Sequence, residues 1–240
     1  MSPDTAALAP ALQLDQVCVS YGGIRALSGV TLTVPAGSVV ALLGPNGAGK
    51  TTTLRAVSGV IPVESGRITV GGCRVDGRPP HVVARHGVVH VPEGRGIFPS
   101  LTVRENLELS GRVVGRDVDP VEAGVARFPI LGERLGVAAG TLSGGQQQML
   151  ALARALSSKP RLLMVDEISM GLAPIVVVQL FDALREHALA GTSLLLVEQY
   201  VETALELADY VYVLEKGVVC DVGEANDVRA GSLVSTYLGT

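Results

Sequence analysis

Gly44-Pro45-Asn46-Gly47-Ala48-Gly49-Lys50-Thr51 sets two glycines around four residues and follows them with a lysine and a hydroxyl. That spacing suits the holding of phosphates. Glycines let the backbone curl until successive N–H groups point at one set of oxygens, and a helix opening at the loop's end adds its partial positive charge. Gly44 to Thr52 is thus the expected cradle for a nucleoside triphosphate, with Lys50 bridging the terminal phosphates and the Thr51 hydroxyl on a magnesium ion. The motif needs a strand before it and a helix after it. The apolar run Val39 to Leu43 supplies the first, and Thr52 to Ser58, unbroken until Gly59, supplies the second.

A second chemical group closes the apolar run Leu162 to Val165. Asp166-Glu167 stands where a P-loop hydrolase carries its acids. Asp166 is expected to hold magnesium, and Glu167 to face the terminal phosphate and polarise the attacking water. Between the two motifs, Leu142-Ser143-Gly144-Gly145-Gln146 opens a run rich in Ala, Leu and Gln from Gln147 to Leu156. Two readings fit Ser143, Gly144, Gly145 and Gln146: a second anion-binding helix terminus, or a helix cap and nothing more. Tyr21, followed by Gly22-Gly23, also has two readings. It is either a flat ring offered to a base or a strand-edge tyrosine packed on the core.

These groups must be positioned by buried strands. Leu12 to Tyr21, Val30 to Val34, Arg67 to Val70, Gly87 to Val91, Ser193 to Val197, Tyr210 to Leu214 and Val218 to Asp221 read as further strands. Val103 to Leu109, Val121 to Arg127, Val176 to Leu189 and Glu202 to Ala208 read as helices. The short continuous Val and Leu runs are those of parallel strands covered on both faces.

The chain has 240 residues, enough for one large domain, and is 48% hydrophobic. No apolar run approaches the roughly 18 residues of a membrane span. Met1 to Ala11 has no basic start or long apolar stretch, so the expected location is the cytoplasm. A formal charge of -4 argues against a nucleic-acid surface. Cys18, Cys73 and Cys220 are far apart and are expected as buried free thiols. His81, His86 and His90 lie close together, but no carboxylate or thiol completes a ligand set, and they read as ordinary strand and loop histidines.

Taken together, these segments resemble the ATP-binding subunit of an ATP-binding-cassette transporter, from Leu12 to Leu238. The Leu142 to Gln146 run, lying after the phosphate loop and just before Asp166-Glu167, separates that family from other P-loop enzymes. The resemblance implies an α/β P-loop hydrolase with a mostly parallel RecA-like core sheet, an antiparallel β subdomain and an inserted helical subdomain. The implied division is a flexible leader at 1–11, a core at 12–96 and 159–240, and the helical part at 97–158. It also implies that Tyr21 stacks on adenine, that Glu93 lies in the loop sensing magnesium and the membrane partner, and that Ser169 to Leu172 touch a second cassette. The implied ATP site is composite, with the Lys50 side of one subunit closing over ATP against the Ser143 side of another.

Two positions depart from the general pattern: Glu93 stands where Gln is usual, and Gln199 where His is usual. Both fit one subfamily. With Val91-Pro92-Glu93-Gly94-Arg95, Gly171-Leu172-Ala173-Pro174, Val197-Glu198-Gln199 and Tyr237-Leu238-Gly239, the chain is similar to the shorter ATPase of the branched-chain amino acid importer. The wider group also serves urea and short-chain amides. Partners implied are a second cassette, two transmembrane permease subunits and, indirectly, an extracytoplasmic solute-binding protein, which would hold the chain at the inner face of the cell membrane. Gln199 can donate an amide hydrogen bond to the terminal phosphate but cannot take up a proton as His does. Glu93 reaches magnesium but adds negative charge, so Glu167 is expected to act as the only general base. A competing expectation is a regulatory module that binds ATP while hydrolysis is weakened at Glu93 and Gln199.

Overall fold

A computed structural model describes residues 9–94, 96–110, 119–198 and 200–230. Most of the expected leader, Arg95, Gln199 and Tyr237-Leu238-Gly239 lie outside the described residues.

Three strands, β3 (Val39–Leu43), β7 (Leu162–Asp166) and β8 (Ser193–Val197), are buried at every position. They form the centre of a six-stranded sheet with β6 (Val88–Val91), β9 (Tyr210–Glu215) and β10 (Val218–Glu224), in the order β10-β9-β3-β8-β7-β6. All neighbours are parallel except the edge pair of β9 and β10. Because side chains alternate along a strand, each central strand divides its residues between two cores. Val39, Ala41, Leu43, Leu163, Val165, Leu194 and Leu196 face one, while Val40, Leu42, Leu162, Met164, Leu195 and Val197 face the other. This double demand explains why these segments read as unbroken apolar runs.

The second core is closed by α1 (Lys50–Val57) and by an antiparallel sheet of β1 (Leu12–Tyr21), β2 (Ile24–Val34), β4 (Ser65–Val70) and β5 (Cys73–Arg74), in the order β2-β1-β4-β5. A short helix α2 (Pro80–Arg85), not foreseen in the sequence, leads into β6. The first core is closed by α3 (Val103–Glu108), α4 (Pro120–Arg127), α5 (Pro129–Gly132), α6 (Gly144–Ser157) and α7 (Pro174–Leu189). Two further helices, α8 (Val201–Leu207) and α9 (Ala225–Ala230), pack on each other, α8 beside β3 and α9 beside β9 and β10. The arrangement is the expected P-loop α/β fold, with a mostly parallel sheet, an antiparallel sheet and helices gathered around α6.

One expectation fails. Cys73 and Cys220 are exposed and Cys18 is half-buried, so none is a fully buried thiol. Cys73 and Cys220 sit on edge strands β5 and β10, where no further layer covers them.

Candidate functional site

The phosphate loop joins β3 to α1, and its glycines are sterically required. Gly44 has φ +148°, and a Cβ there would lie 2.1 Å from the carbonyl oxygen of Leu214. Gly49, at φ +109°, precedes the first turn of α1 with no side-chain cap, which leaves the helix's first N–H groups open to an anion. The loop borders a cleft of about 340 Å³ whose walls include Asn46, Gly47, Lys50, Thr51, Glu93 and Glu167. Gly49, Thr52, Ala26 and Met170 complete much of its lining. A larger hollow of about 570 Å³ lies elsewhere, around Arg127, Phe128 and Leu189. The smaller cleft is the better phosphate site because it combines an open helix terminus with a buried cation.

That cation is Lys50, only 5% exposed. Its Nζ donates to the Gly44 carbonyl at 2.9 Å and to the Pro45 carbonyl at 3.2 Å, and lies 3.7 Å from Glu167 Oε1. The ammonium is therefore held over the loop's own carbonyls, next to the acid expected to work on water. Glu167 follows β7 with φ +47°, a left-handed conformation that costs a residue with a Cβ about 1–2 kcal/mol. Its N–H donates to the Val197 carbonyl at 2.9 Å, which ties the bend to the end of β8. Strain at this residue is offset by surrounding contacts and aims its carboxylate back into the cleft.

Asp166 is fully buried, and neither carboxylate oxygen accepts a hydrogen bond; the Thr51 hydroxyl comes near without completing one. Burial is the main cause that pushes its pKa up to about 6. Thr51 and Lys50 partly offset the shift, and the charges of Glu167 and Glu93 add to it. A buried carboxylate without partners is costly when ionised and calls for a cation. The donors at hand, Asp166, the Thr51 hydroxyl and the Glu93 carboxylate, are hard oxygens that fit magnesium completed by phosphate oxygens and water. Among the described residues no cluster of three or more His, Cys, Asp or Glu forms a metal site made by protein alone.

The raised pKa has a consequence for stability. The unfolded chain loses this proton near the ordinary value of 3.8, whereas the folded chain keeps it up to about 6. Folding therefore binds more protons in that window, and stability falls as pH rises through it. Asp166→Asn removes the penalty. The nucleotide-free Asn variant should melt above the parent at pH 8, by about 2–4 °C for each kcal/mol relieved, and the gap should shrink at pH 4. Melting curves of both proteins at the two pH values check this, and an equal gap at both would refute the assignment of the proton to Asp166.

Ser143, Gly144, Gly145 and Gln146 are not brought to this cleft. They open α6, where Ser143 Oγ accepts from the Gln146 N–H at 3.3 Å and Gln146 Oε1 accepts from the Ser143 N–H at 3.0 Å. This reciprocal capping box settles the local geometry, and it leaves the Ser143 hydroxyl proton available to an anion arriving from outside the chain. Tyr21, 42% exposed at the end of β1, is not among the residues lining the cleft. His90 Nδ1 lies 3.3 Å from Ser58 Oγ, and burial pushes the imidazole pKa down to about 4, so it is a neutral strand histidine at ordinary pH.

Two residues near the site were named in the sequence only within the runs Ser169 to Leu172 and Val197-Glu198-Gln199, and not as a pair. Ser169, two positions beyond Glu167, and Glu198, at the end of β8, are each 1% exposed and bond to one another. A signal for Glu198 existed: a charged residue directly after five buried apolar or small ones.

The family pattern described as "ABC transporter" matches residues 27–169. The chain is 44% identical over 218 residues to the high-affinity branched-chain amino acid transport ATP-binding protein BraG of Pseudomonas aeruginosa, covering 89% of this chain and 94% of that one. It is 36% identical over 211 residues to a probable branched-chain amino acid transport ATP-binding protein, LivF, of Archaeoglobus fulgidus, covering 87% and 89%. A solved structure described as the ATP-binding subunit of an ABC transporter superposes with a TM-score of 0.83 at 28% identity, covering 92% of each chain.

Proposed function

The chain belongs to the ABC transporter family, and from that premise we propose that it is the ATP-hydrolysing subunit of an importer for branched-chain or closely related amino acids. The observation that carries the chemistry is the cleft where Lys50, Thr51 and Glu167 meet, with the unpartnered Asp166 buried directly before Glu167. The solute class rests on the similarity to the two branched-chain transport proteins.

ATP would lie with its phosphates on the N–H groups of Gly47 to Thr52 and its terminal phosphate against Lys50. Asp166, Thr51 and Glu93 would hold magnesium, which supplies charge neutralisation on the phosphate oxygens. Glu167 accepts a proton from a water in line with the bond to be broken. Gln199 would add an amide donor to the terminal phosphate. Tyr21 would meet the base once nucleotide and a second cassette close around it. The Ser143–Gln146 terminus, remote from Lys50 within one chain, would complete the site of a paired cassette, so that ATP joins the two subunits.

Among the described residues no helix is long and apolar enough to cross a membrane. The reading as a transport ATPase implies membrane permease subunits, with this chain docked on their cytoplasmic side. A solute-binding protein on the far side would deliver the amino acid. We take the chain to divide into a core at 12–96 and 159–240 and a helical part at 97–158, the part that would meet such subunits together with the Glu93 loop.

The test is ATP hydrolysis by this chain, alone and reconstituted in vesicles with candidate permease subunits, with uptake of labelled leucine followed in parallel. Turnover should rise several-fold on assembly and track uptake. Tight ATP binding with no turnover in any mixture would point instead to a regulatory module.

A further inference from the structure

We propose that Glu198 is a positioning residue for hydrolysis: through Ser169 it fixes the segment that carries Glu167 and links it to the exposed loop beyond. The inference rests on the reading of Glu167 as the base. Glu198 Oε1 accepts from the Ser169 N–H at 3.2 Å, and Oε2 accepts from the Ser169 hydroxyl at 2.6 Å. One carboxylate thus takes both donors of one residue and fixes its backbone and side chain together. The preceding residue completes the grip, because the Val197 carbonyl accepts the Glu167 N–H at 2.9 Å. Glu167, Ile168 and Ser169 are therefore held at both ends by consecutive residues at the end of β8, with Ile168 buried between them at 1% exposure.

This arrangement is costly as mere packing. A carboxylate at 1% exposure carries a desolvation penalty that an apolar residue following Ser193–Val197 would not. What it provides is direction. Glu167 sits at φ +47°, where small rotations of the backbone swing the carboxylate, and a displacement near 1 Å at a reacting group costs on the order of 10²-fold in rate. Beyond Ser169 the chain emerges at once into the open: Met170 is 49% exposed, and Gly171, at φ +70°, has no atom within 4 Å of a Cβ built on it. The clamp therefore stands beside an exposed turn in which the Met170 N–H donates to the Glu167 carbonyl at 3.4 Å and the Leu172 N–H to the Ser169 carbonyl at 3.3 Å.

The test measures ATP hydrolysis and equilibrium ATP binding by the full chain carrying Ser169→Ala, Ser169→Thr, Glu198→Gln, or Ser169→Ala with Glu198→Gln. Ser169→Ala should lower kcat between about 10-fold and 10²-fold, while KM and the Kd for ATP stay within about twofold. Ser169→Thr keeps the hydroxyl and should restore most of the rate. The double variant should be no slower than Ser169→Ala, because both changes break one interaction. A kcat within twofold of the parent in Ser169→Ala overturns the proposal, as does a parallel fall of kcat, ATP affinity and Tm, which would mark a structural role only. If Glu198→Gln does not fold, the Ser169→Ala and Ser169→Thr pair decides the matter. Glu167→Gln measured alongside separates the two readings: its retained turnover removes the base, whereas an inactive Glu167→Gln beside an unaffected Ser169→Ala removes only the clamp.

Discussion

Glu167→Gln should leave ATP binding intact and lower turnover by on the order of 10²- to 10⁴-fold, the usual contribution of a positioned general base. The substitution is nearly isosteric, and the amide keeps a carbonyl oxygen for hydrogen bonding but cannot take a proton from water. Among the described residues lining the cleft no spare base is placed to replace it: Asp166 is fully buried, and Glu93 is expected on magnesium. The contact between Glu167 and Lys50 adds a sign to the binding prediction. Glu167 Oε1 lies 3.7 Å from the Lys50 ammonium, so the acid competes with phosphate for the same cation. Removing its charge relieves that competition and also lessens repulsion of the triphosphate. ATP should therefore bind the Gln variant as tightly as the parent or a few-fold more tightly. Equilibrium binding and steady-state hydrolysis on the same preparations read both quantities. Turnover within tenfold of the parent would mean that water is activated by another group, and weaker binding would mean that the Glu167–Lys50 contact supports the loop instead of competing with its ligand.

How much of this site was legible depends on how local its causes are. The bounds of β3 and β8 coincide with those read from the sequence, because strands covered on both faces leave an unbroken run of apolar or small residues. The antiparallel sheet was less legible. β2 begins at Ile24, six residues before Val30, because pairing of Ile24 with Tyr21 across Gly22-Gly23 extends the hairpin through exposed residues that break the alternation. Helix α1 begins at Lys50, ahead of Thr52, since the loop's last glycine already serves as the N-cap. Pro174 opens α7 and could have been read as its first residue, as proline is preferred there. Within the site, the glycine spacing and the acids at the end of β7 are contiguous motifs and were readable. The left-handed bend at Glu167, the lysine folded back on Gly44 and Pro45, and the Ser169–Glu198 clamp arise from segments brought together by the parallel sheet. No periodicity or local propensity encodes them.

Lys50→Ala should cost both binding and catalysis, which distinguishes it from Glu167→Gln. The ammonium satisfies the Gly44 and Pro45 carbonyls and faces Glu167. Truncation leaves those carbonyls to water and the carboxylate without its cation, so the cleft becomes more negative where a triphosphate must enter. A charge-assisted hydrogen bond is worth about 1.5–3 kcal/mol, and its loss weakens ATP binding by roughly 10- to 150-fold. The terminal phosphate also loses the group that would neutralise charge as the bond breaks, so kcat should fall further than binding alone accounts for. Lys50→Arg is not a rescue, because a planar guanidinium cannot occupy a space built around a compact ammonium that is 5% exposed. Titration with ATP and single-turnover hydrolysis at saturating nucleotide separate the two effects. Unchanged ATP affinity in Lys50→Ala, with the protein folded, would show that the backbone N–H groups of the loop carry the phosphates unaided and that Lys50 serves only to hold the loop and Glu167 together.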